Sequence, residues 1–144
     1  MNNIYLSEFE SYLSIDLNYS NNTVNTYNNN LSRFNDFIGT KDLLKVTNKD
    51  IEKYIKTIGE LAPSSISNHI SALKTFYNYY VKLDKISSNP CDSIKTPKLG
   101  RELPTYLTTD EVDKLLDITI DSPFDARNKA ILELMYGTGL RISE

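Results

Sequence analysis

The sequence predicts an all-α protein, made of a four-helix domain, a proline-containing linker and the first two helices of another domain. Apolar residues recur at spacings of three and four over most of the 144-residue chain, which is the period of an amphipathic helix. No segment shows the alternating pattern of a half-buried strand over a useful length. Prolines and a glycine concentrate between the two helical regions, in the stretch "SSNPCDSIKTPKLGRELPTYL".

Each of the first four helices is predicted from one apolar stripe. The first stripe is Leu6, Phe9, Leu13 and Leu17, and the second is Val24, Tyr27, Leu31, Phe34 and Ile38. The third is Ile51, Tyr54, Ile55 and Ile58. The fourth is Ile66, Ile70, Leu73, Tyr77 and Tyr80, widened by Phe76 and Leu83. The four stripes indicate a bundle that encloses one core.

The ends of these helices carry recognisable signals. Ser20 or Asn21 suits the start of the second helix, and Gly39 suits its end. The third helix follows a capping-box pattern over residues 47–50. The fourth helix is predicted to begin near Pro63, because proline fits the first helical turn.

The region after the bundle is predicted to be an extended connector, because proline fixes φ and biases the residue before it to extended conformations. A second capping box, at residues 108–111, then opens a helix with Val112, Leu115 and Leu116 inside. The last helix is predicted over 124–136, with Ala130, Ile131, Leu134 and Met135 buried and Gly137 and Gly139 at its end. The predicted boundaries are 1–90 for the first domain, 91–105 for the linker and 106–144 for the second region.

A second region of about 40 residues is too small to enclose a core of its own. The chain is therefore expected to be a piece of a longer protein. Its 40% hydrophobic and 24% charged residues are typical of a globular protein without a membrane span. The N-terminus lacks the pattern of a signal peptide, and the single Cys91 has no disulfide partner, so we expect a cytoplasmic protein in which Cys91 is an inert structural thiol.

The charge pattern suggests a nucleic-acid surface although the net charge is −3. No acidic residue lies between Asp16 and Asp36, or between Glu60 and Asp84, and these gaps cover most of the second and fourth helices. Their polar faces comprise Asn21, Asn25, Asn28, Ser32 and Asn35, with Arg33 adjacent, and Ser67, Ser71, Lys74, Asn78, Lys82 and Lys85. A surface that meets phosphates needs cationic and amide donors and must lack carboxylates. The alternative is a solvated face built from an asparagine-rich sequence.

Four segments resemble one protein family. "YLTTDEVDKLL" and "ARNKAILELMYGTGLRISE" resemble the start of the catalytic domain of tyrosine recombinases, the phage-integrase and Xer family. "TVNTYNNNLSRFNDFI" and "SISNHISALKTFYNYYVKLDKISSNPCDSIKTPK" resemble the N-terminal core-binding domain and its exit into the linker, which implies a four-helix core-binding (SAM-like) fold for the first domain. The family's second helix usually carries several basic residues after the tyrosine, where this chain has Asn28-Asn29-Asn30.

The resemblance implies a role for two residues of "TGLRISE". Arg141 matches the family's first catalytic arginine, which binds the DNA phosphate during strand cleavage, and Glu144 matches a supporting residue. A guanidinium stays charged and offers paired donors that match two phosphate oxygens. Gly137 and Gly139 are expected to allow a tight turn, so that Arg141 projects from the start of the next helix.

The resemblance also implies what this chain lacks. The family's remaining catalytic groups (a lysine on a β-hairpin, a His-x-x-Arg pair, a further His or Trp and the nucleophilic tyrosine) would lie beyond Glu144. The chain is therefore expected to bind double-stranded DNA without cleaving it, and the complete recombinase is expected to act as a homo- or hetero-tetramer on paired sites. No metal or other cofactor is expected. None of the tyrosines in this chain is expected to be the nucleophile. Four of them lie at core spacing and are expected to be buried in the bundle: Tyr27, Tyr54, Tyr77 and Tyr80.

The second and fourth helices are predicted to approach the major groove. Arg33, Lys74, Lys82 and Lys85 are assigned to phosphates, Asn25 and Asn28 to positions nearer the base edges, and Asn78 and His69 to further DNA contacts. For His69 an uninvolved surface or boundary position is the alternative. For the chain as a whole the alternative is a non-catalytic helical module, for protein interaction or transcription regulation, which leaves "TGLRISE" without a role. A continuation of the reading frame with His-x-x-Arg and a late tyrosine would select the recombinase.

Overall fold

A computed structural model describes residues 2–97, 100 and 105–142. The contacts divide the chain into two units, Met1–Gly100 and Arg101–Glu144. The helices of the first unit are α1 (Asn2–Ser11), α2 (Asn21–Ile38), α3 (Asn48–Thr57) and α4 (Pro63–Lys82), with a π-helical turn at Tyr12–Asp16 and a 3-10 turn at Leu43–Lys45. Those of the second unit are α5 (Thr109–Leu116) and α6 (Pro123–Thr138). The all-α prediction is confirmed.

The helix ends follow the predicted capping chemistry. At α2 the backbone N–H of Thr23 donates to Ser20 Oγ at 3.3 Å, and Gly39 follows the helix with φ +62°. At α3 the Asp50 carboxylate accepts from the Thr47 backbone N–H at 2.8 Å and from Lys41 Nζ at 2.6 Å. These bonds hold the pKa of Asp50 well below its ordinary value, so a charged carboxylate completes the α3 cap.

The core of the first unit is built around α4, which packs against α2. The buried residues of α4 are Ile66, His69, Ile70, Ala72, Leu73, Phe76, Tyr77 and Tyr80. Phe76 meets Phe9 of α1 edge to face, with ring centroids 5.2 Å apart. The buried hydroxyl of Tyr77 donates to the Leu43 carbonyl at 3.1 Å, which ties α4 to the 3-10 turn. Buried tyrosines thus retain hydrogen-bond partners, as burial in an apolar core requires.

Two details of the bundle differ from the predicted stripes. The α-helical part of the first helix stops at Ser11, and a π-helical turn carries the chain on to Asp16. Leu83 does not widen the stripe of α4, because the helix ends at Lys82 and Asp84 turns the backbone with φ +54°. Leu83 is therefore exposed.

The first residues of the predicted linker belong to the core. Cys91 and Ile94 are buried and join the apolar cluster of the bundle. Burial raises the pKa of the Cys91 thiol to about 12, which keeps it protonated. The expectation of an extended surface connector is therefore wrong for residues 91–94, because two apolar side chains anchor this segment to the bundle.

In the second unit the predicted burial of α6 is wrong. Val112 of α5 is buried, but α6 buries none of its residues, and Ile131 and Leu134 are 48% and 57% exposed. A pair of helices has too little surface to enclose an apolar stripe on both sides. The apolar stripe of α6 is present in the sequence, but the described residues do not cover it.

Candidate nucleic-acid interface

α4 itself contributes no carboxylate to its polar side, since the helix contains no aspartate or glutamate. Asp84 follows the helix, and Asp92 lines the same groove as Lys85. Asn78 and Lys82 are exposed, Lys74 is half-buried, and Lys85 is exposed in the turn that follows the helix. Residues three or four apart share one side of a helix, so Lys74, Asn78 and Lys82 present ammonium and amide donors in one row. This row, together with Lys85, is called the α4 donor row below.

The α4 donor row is linked to a residue that the sequence analysis did not identify. Asn89 lies in the segment after α4, and its side-chain amide donates to the Lys74 carbonyl at 3.0 Å and to Asn78 Oδ1 at 2.8 Å. The sequence signal was an Asn-Pro pair in a region expected to be an exposed connector. Only the burial of Asn89 distinguishes it from the other asparagines of the chain.

The polar face of α2 is divided by its contact with α1. Asn25 is exposed, whereas Asn28 lines a groove together with Glu10 of α1. Asn35 Oδ1 accepts from the Asn2 side chain at 2.9 Å. The acid-free surface predicted from the sequence of α2 is therefore wrong near Asn28, because tertiary packing brings the Glu10 carboxylate into the same groove.

Arg33 is exposed on a different part of α2. Burial raises the pKa of Tyr54 and lowers that of His69, and the positive charge of Arg33 opposes the first shift and adds to the second. Arg33 is thus close to the place where α3 and α4 meet. An exposed guanidinium there is available to a phosphate.

His69 is buried, with 6% of its surface exposed, and the expectation of a surface or boundary position is wrong. Its Nδ1 lies 3.0 Å from the Tyr54 hydroxyl. Burial and then the charge of Arg33 lower the pKa of His69, while burial raises the pKa of Tyr54 to about 12. The apolar side of α4 is wider than its leucine and isoleucine positions indicate, since the imidazole finds a hydroxyl partner inside the bundle. This position removes His69 from the candidate DNA contacts.

Arg141 follows the end of α6. Gly139 ends the helix in the left-handed region with φ +68°, and its N–H donates to the Met135 carbonyl at 2.9 Å. Gly137 lies inside α6, so only Gly139 provides the turn. Arg141 is exposed and lies two residues after Gly139, and its position at the start of a further helix stays a prediction. The predicted supporting residue Glu144 lies outside the described residues.

The described residues contain neither a metal-binding cluster nor a membrane-spanning helix. In residues 2–97, 100 and 105–142, no group of three or more His, Cys, Asp or Glu side chains has the geometry to hold a metal ion. Within the same residues, no helix combines the length and the hydropathy that a membrane span requires.

Comparison with known families gives two matches along the chain. The phage integrase N-terminal SAM-like domain matches residues 6–83, and the phage integrase family matches residues 105–144. The tyrosine recombinase XerC of Oceanobacillus iheyensis is 35% identical over 98% of this chain and 48% of its own length. XerD of Chlorobaculum tepidum is 37% identical over 96% of this chain and 48% of its own. The chain thus spans about half the length of these relatives.

Two solved structures are similar to the chain. The XerA recombinase shares 27% sequence identity with a TM-score of 0.55, over 100% of this chain and 49% of that one. The integrase from mycobacterium phage Brujita shares 19% identity with a TM-score of 0.64, over 96% of this chain and 46% of that one. The second similarity concerns the fold alone.

Proposed function

The chain belongs to the phage integrase family of tyrosine recombinases, and from this we propose that it binds double-stranded DNA as the N-terminal half of a site-specific recombinase. Its relatives by sequence are named tyrosine recombinases, and they are about twice as long. We propose that the complete protein joins and exchanges DNA strands as a tetramer on paired sites. Residues 1–94, as far as the core extends, would act as the DNA-binding domain, 95–105 as the linker and 106–144 as the start of the catalytic domain.

The observation that supports DNA binding most directly is the α4 donor row. Lys74, Asn78 and Lys82 lie along a helix of 20 residues without a carboxylate. Lysine ammonium groups bind phosphate oxygens and release counterions from DNA, which drives binding at low salt. We assign Lys74, Lys82, Lys85 and Arg33 to phosphates.

The asparagines are assigned by their surroundings. Asn25 is exposed on α2 and lies free of the groove that contains Glu10, so it is the asparagine of α2 that we assign to a base edge. Asn28 shares that groove with the Glu10 carboxylate, which would repel a phosphate. We therefore assign Asn28 no contact with DNA.

For Arg141 we propose the role of phosphate ligand in the complete recombinase. Attack on a phosphodiester builds negative charge on the two non-bridging oxygens, and a guanidinium offers two donors at matching spacing. A preorganised donor at such a position contributes about 3–4 kcal/mol of transition-state stabilisation in other enzymes. The exposed position of Arg141 after the Gly139 turn is compatible with this role. By the resemblance, Glu144 would support it.

The test of DNA binding is a pair of charge reversals on α4. Lys74→Glu with Lys82→Glu should weaken binding to a fluorescent duplex by roughly tenfold for each lysine. The slope of log K against log salt concentration, which is negative, should also become shallower by about 2, since two phosphate contacts are lost. Fluorescence anisotropy over a salt series measures both quantities.

The matched control uses two exposed lysines of α3. Lys53→Glu with Lys56→Glu makes the same change in net charge on a helix that also contains Asp50 and Glu52. This control should keep most of the affinity and the wild-type salt slope. Equal losses in the two double variants would mean that only net charge matters, and α4 would then have no role as an interface.

A further inference from the structure

The Asn89 side chain joins the connector to α4. It is 7% exposed, and its amide group donates to the Lys74 carbonyl at 3.0 Å and to Asn78 Oδ1 at 2.8 Å. Its own Oδ1 accepts from the Cys91 backbone N–H at 2.8 Å. A buried amide with these three bonds has both hydrogens and its oxygen in use, which makes its orientation unique.

A second asparagine holds the same segment from the other side. Asn48, the first residue of α3, donates to the Pro90 carbonyl at 3.2 Å and to Ser93 Oγ at 2.7 Å. Between these two anchors Cys91 is fully buried. The start of the connector is therefore held against both α3 and α4.

The bond from Asn89 also orients Asn78 on the α4 donor row. Because Asn78 Oδ1 faces Asn89, the NH2 group of this exposed side chain is the part directed to solvent. An amide held in this way donates hydrogen bonds to a ligand. It suits a phosphate oxygen or the N7 and O6 acceptors of guanine, whereas paired recognition of adenine requires its oxygen as well.

We propose that Asn89 is a positioning residue, which holds the start of the connector on α4 and turns Asn78 into a hydrogen-bond donor toward DNA. The proposal rests on the proposed DNA binding of α4. Through one buried amide, the helix that meets DNA and the segment that leads to the second unit are held in one arrangement. The contributions of Asn78 and Asn89 to the affinity for DNA would then depend on each other.

A double-mutant cycle on the 144-residue chain tests this proposal. Asn78→Ala and Asn89→Ala should each weaken duplex binding by about fivefold, the value of one hydrogen bond, and the double variant should be no weaker than either single one. If Asn89→Ala instead caused a general loss of packing, it would weaken duplex binding by the same factor in the wild-type chain and in the Asn78→Ala variant. Asn68→Ala, at an exposed asparagine of the same helix, is the matched control and should leave the affinity unchanged.

Amide hydrogen exchange provides a readout without DNA. Asn89→Ala should accelerate exchange at Cys91, whose N–H loses its acceptor, while Asn78→Ala should leave the Asn89–Cys91 bond in place. If Asn89→Ala does not fold, Asn78→Asp replaces it: the acceptor for Asn89 is kept, the outward NH2 becomes a carboxylate oxygen, and binding should fall without faster exchange at Cys91.

The outcomes separate this proposal from the proposed function. A wild-type chain that binds no duplex overturns the proposed function. Wild-type binding that survives Asn89→Ala unchanged, or losses that simply add in the double variant, overturns the positioning role alone. Undiminished binding by Asn78→Asp would also overturn it.

Discussion

At the scale of single residues, the position predicted from the local sequence and the position in the structure differ most for His69, which is buried against Tyr54. Because asparagine and serine residues flank His69 in the sequence, the local pattern predicts a surface position for its imidazole. In the bundle it lies 3.0 Å from the Tyr54 hydroxyl, and Arg33 stands close enough to lower its pKa further. A neutral imidazole fits this site, because a proton added there would be desolvated and placed near a guanidinium.

The pair predicts a pH dependence of stability. His69 has a pKa below the ordinary 6.5 in the folded state, so the unfolded chain binds its proton more readily. The free energy of unfolding should therefore be fully retained above pH 6.5 and should decrease as the pH falls through the folded-state pKa. Urea unfolding between pH values of about 7.5 and 5 measures this, above the range where most carboxylates titrate.

His69 is the one histidine of the chain, which makes the control simple. His69→Gln keeps a polar partner for Tyr54 and removes the titration, so the same urea series should become nearly flat. A wild-type chain that gains stability as the pH falls, or a variant that keeps the wild-type slope, would contradict the assignment.

At the scale of elements, the end of α6 shows how two glycines in one motif differ. Gly139 has φ +68°, where a side chain is strained whatever space surrounds it, and Gly137 is part of the helix. Apart from the adjacent backbone, no heavy atom lies within 4 Å of a Cβ added at either position. Backbone conformation alone therefore decides the effect of substitution.

Alanine substitutions at the two glycines are predicted to change the stability of α6 in opposite directions. Gly139→Ala should destabilise the end of α6 by about 1–2 kcal/mol, because alanine is strained in the left-handed region. Gly137→Ala should stabilise the helix by about 0.5–1 kcal/mol. Amide exchange of residues 130–136 and helix content by circular dichroism report both effects. Destabilisation of equal size in the two variants would show that packing at this turn, and not φ, governs the motif.

At the scale of the whole molecule, the core of the first unit extends past its last helix. The apolar cluster of the bundle includes Cys91 and Ile94, and Asn89 adds buried hydrogen bonds. A boundary drawn where the helical pattern ends, at about residue 90, divides this core. The contacts instead group the chain as far as Gly100 with the bundle.

Two truncated chains separate these boundaries. A chain that ends at Gly100 should keep the free energy of unfolding of the first unit, because its core cluster is complete. A chain that ends at Ser88 loses Ile94, Cys91 and the bonds of Asn89, and should be less stable by about 3 kcal/mol or more. Chemical unfolding of both chains measures the difference. Equal stability would contradict the inclusion of residues 89–94 in the core.

The sequence by itself determined the all-α class, the apolar stripes of the four bundle helices, their caps and the family. These features depend on neighbours three or four residues apart, or on a contiguous motif such as "TGLRISE". The role proposed for Arg141 rests on the same kind of local motif. Lys82 and Lys85 were likewise found exposed, as an acid-free helix face suggests.

Only the tertiary structure decided which polar residues face outward and which are buried. His69 and Asn89 are polar, yet each is buried because a residue far along the chain offers a matching hydrogen bond. Glu10 approaches Asn28 only through the packing of α1 on α2, and the exposure of Ile131 depends on which helices are present to cover it. Local periodicity reports which residues share a side of a helix, and the free energy of burial depends on what that side meets.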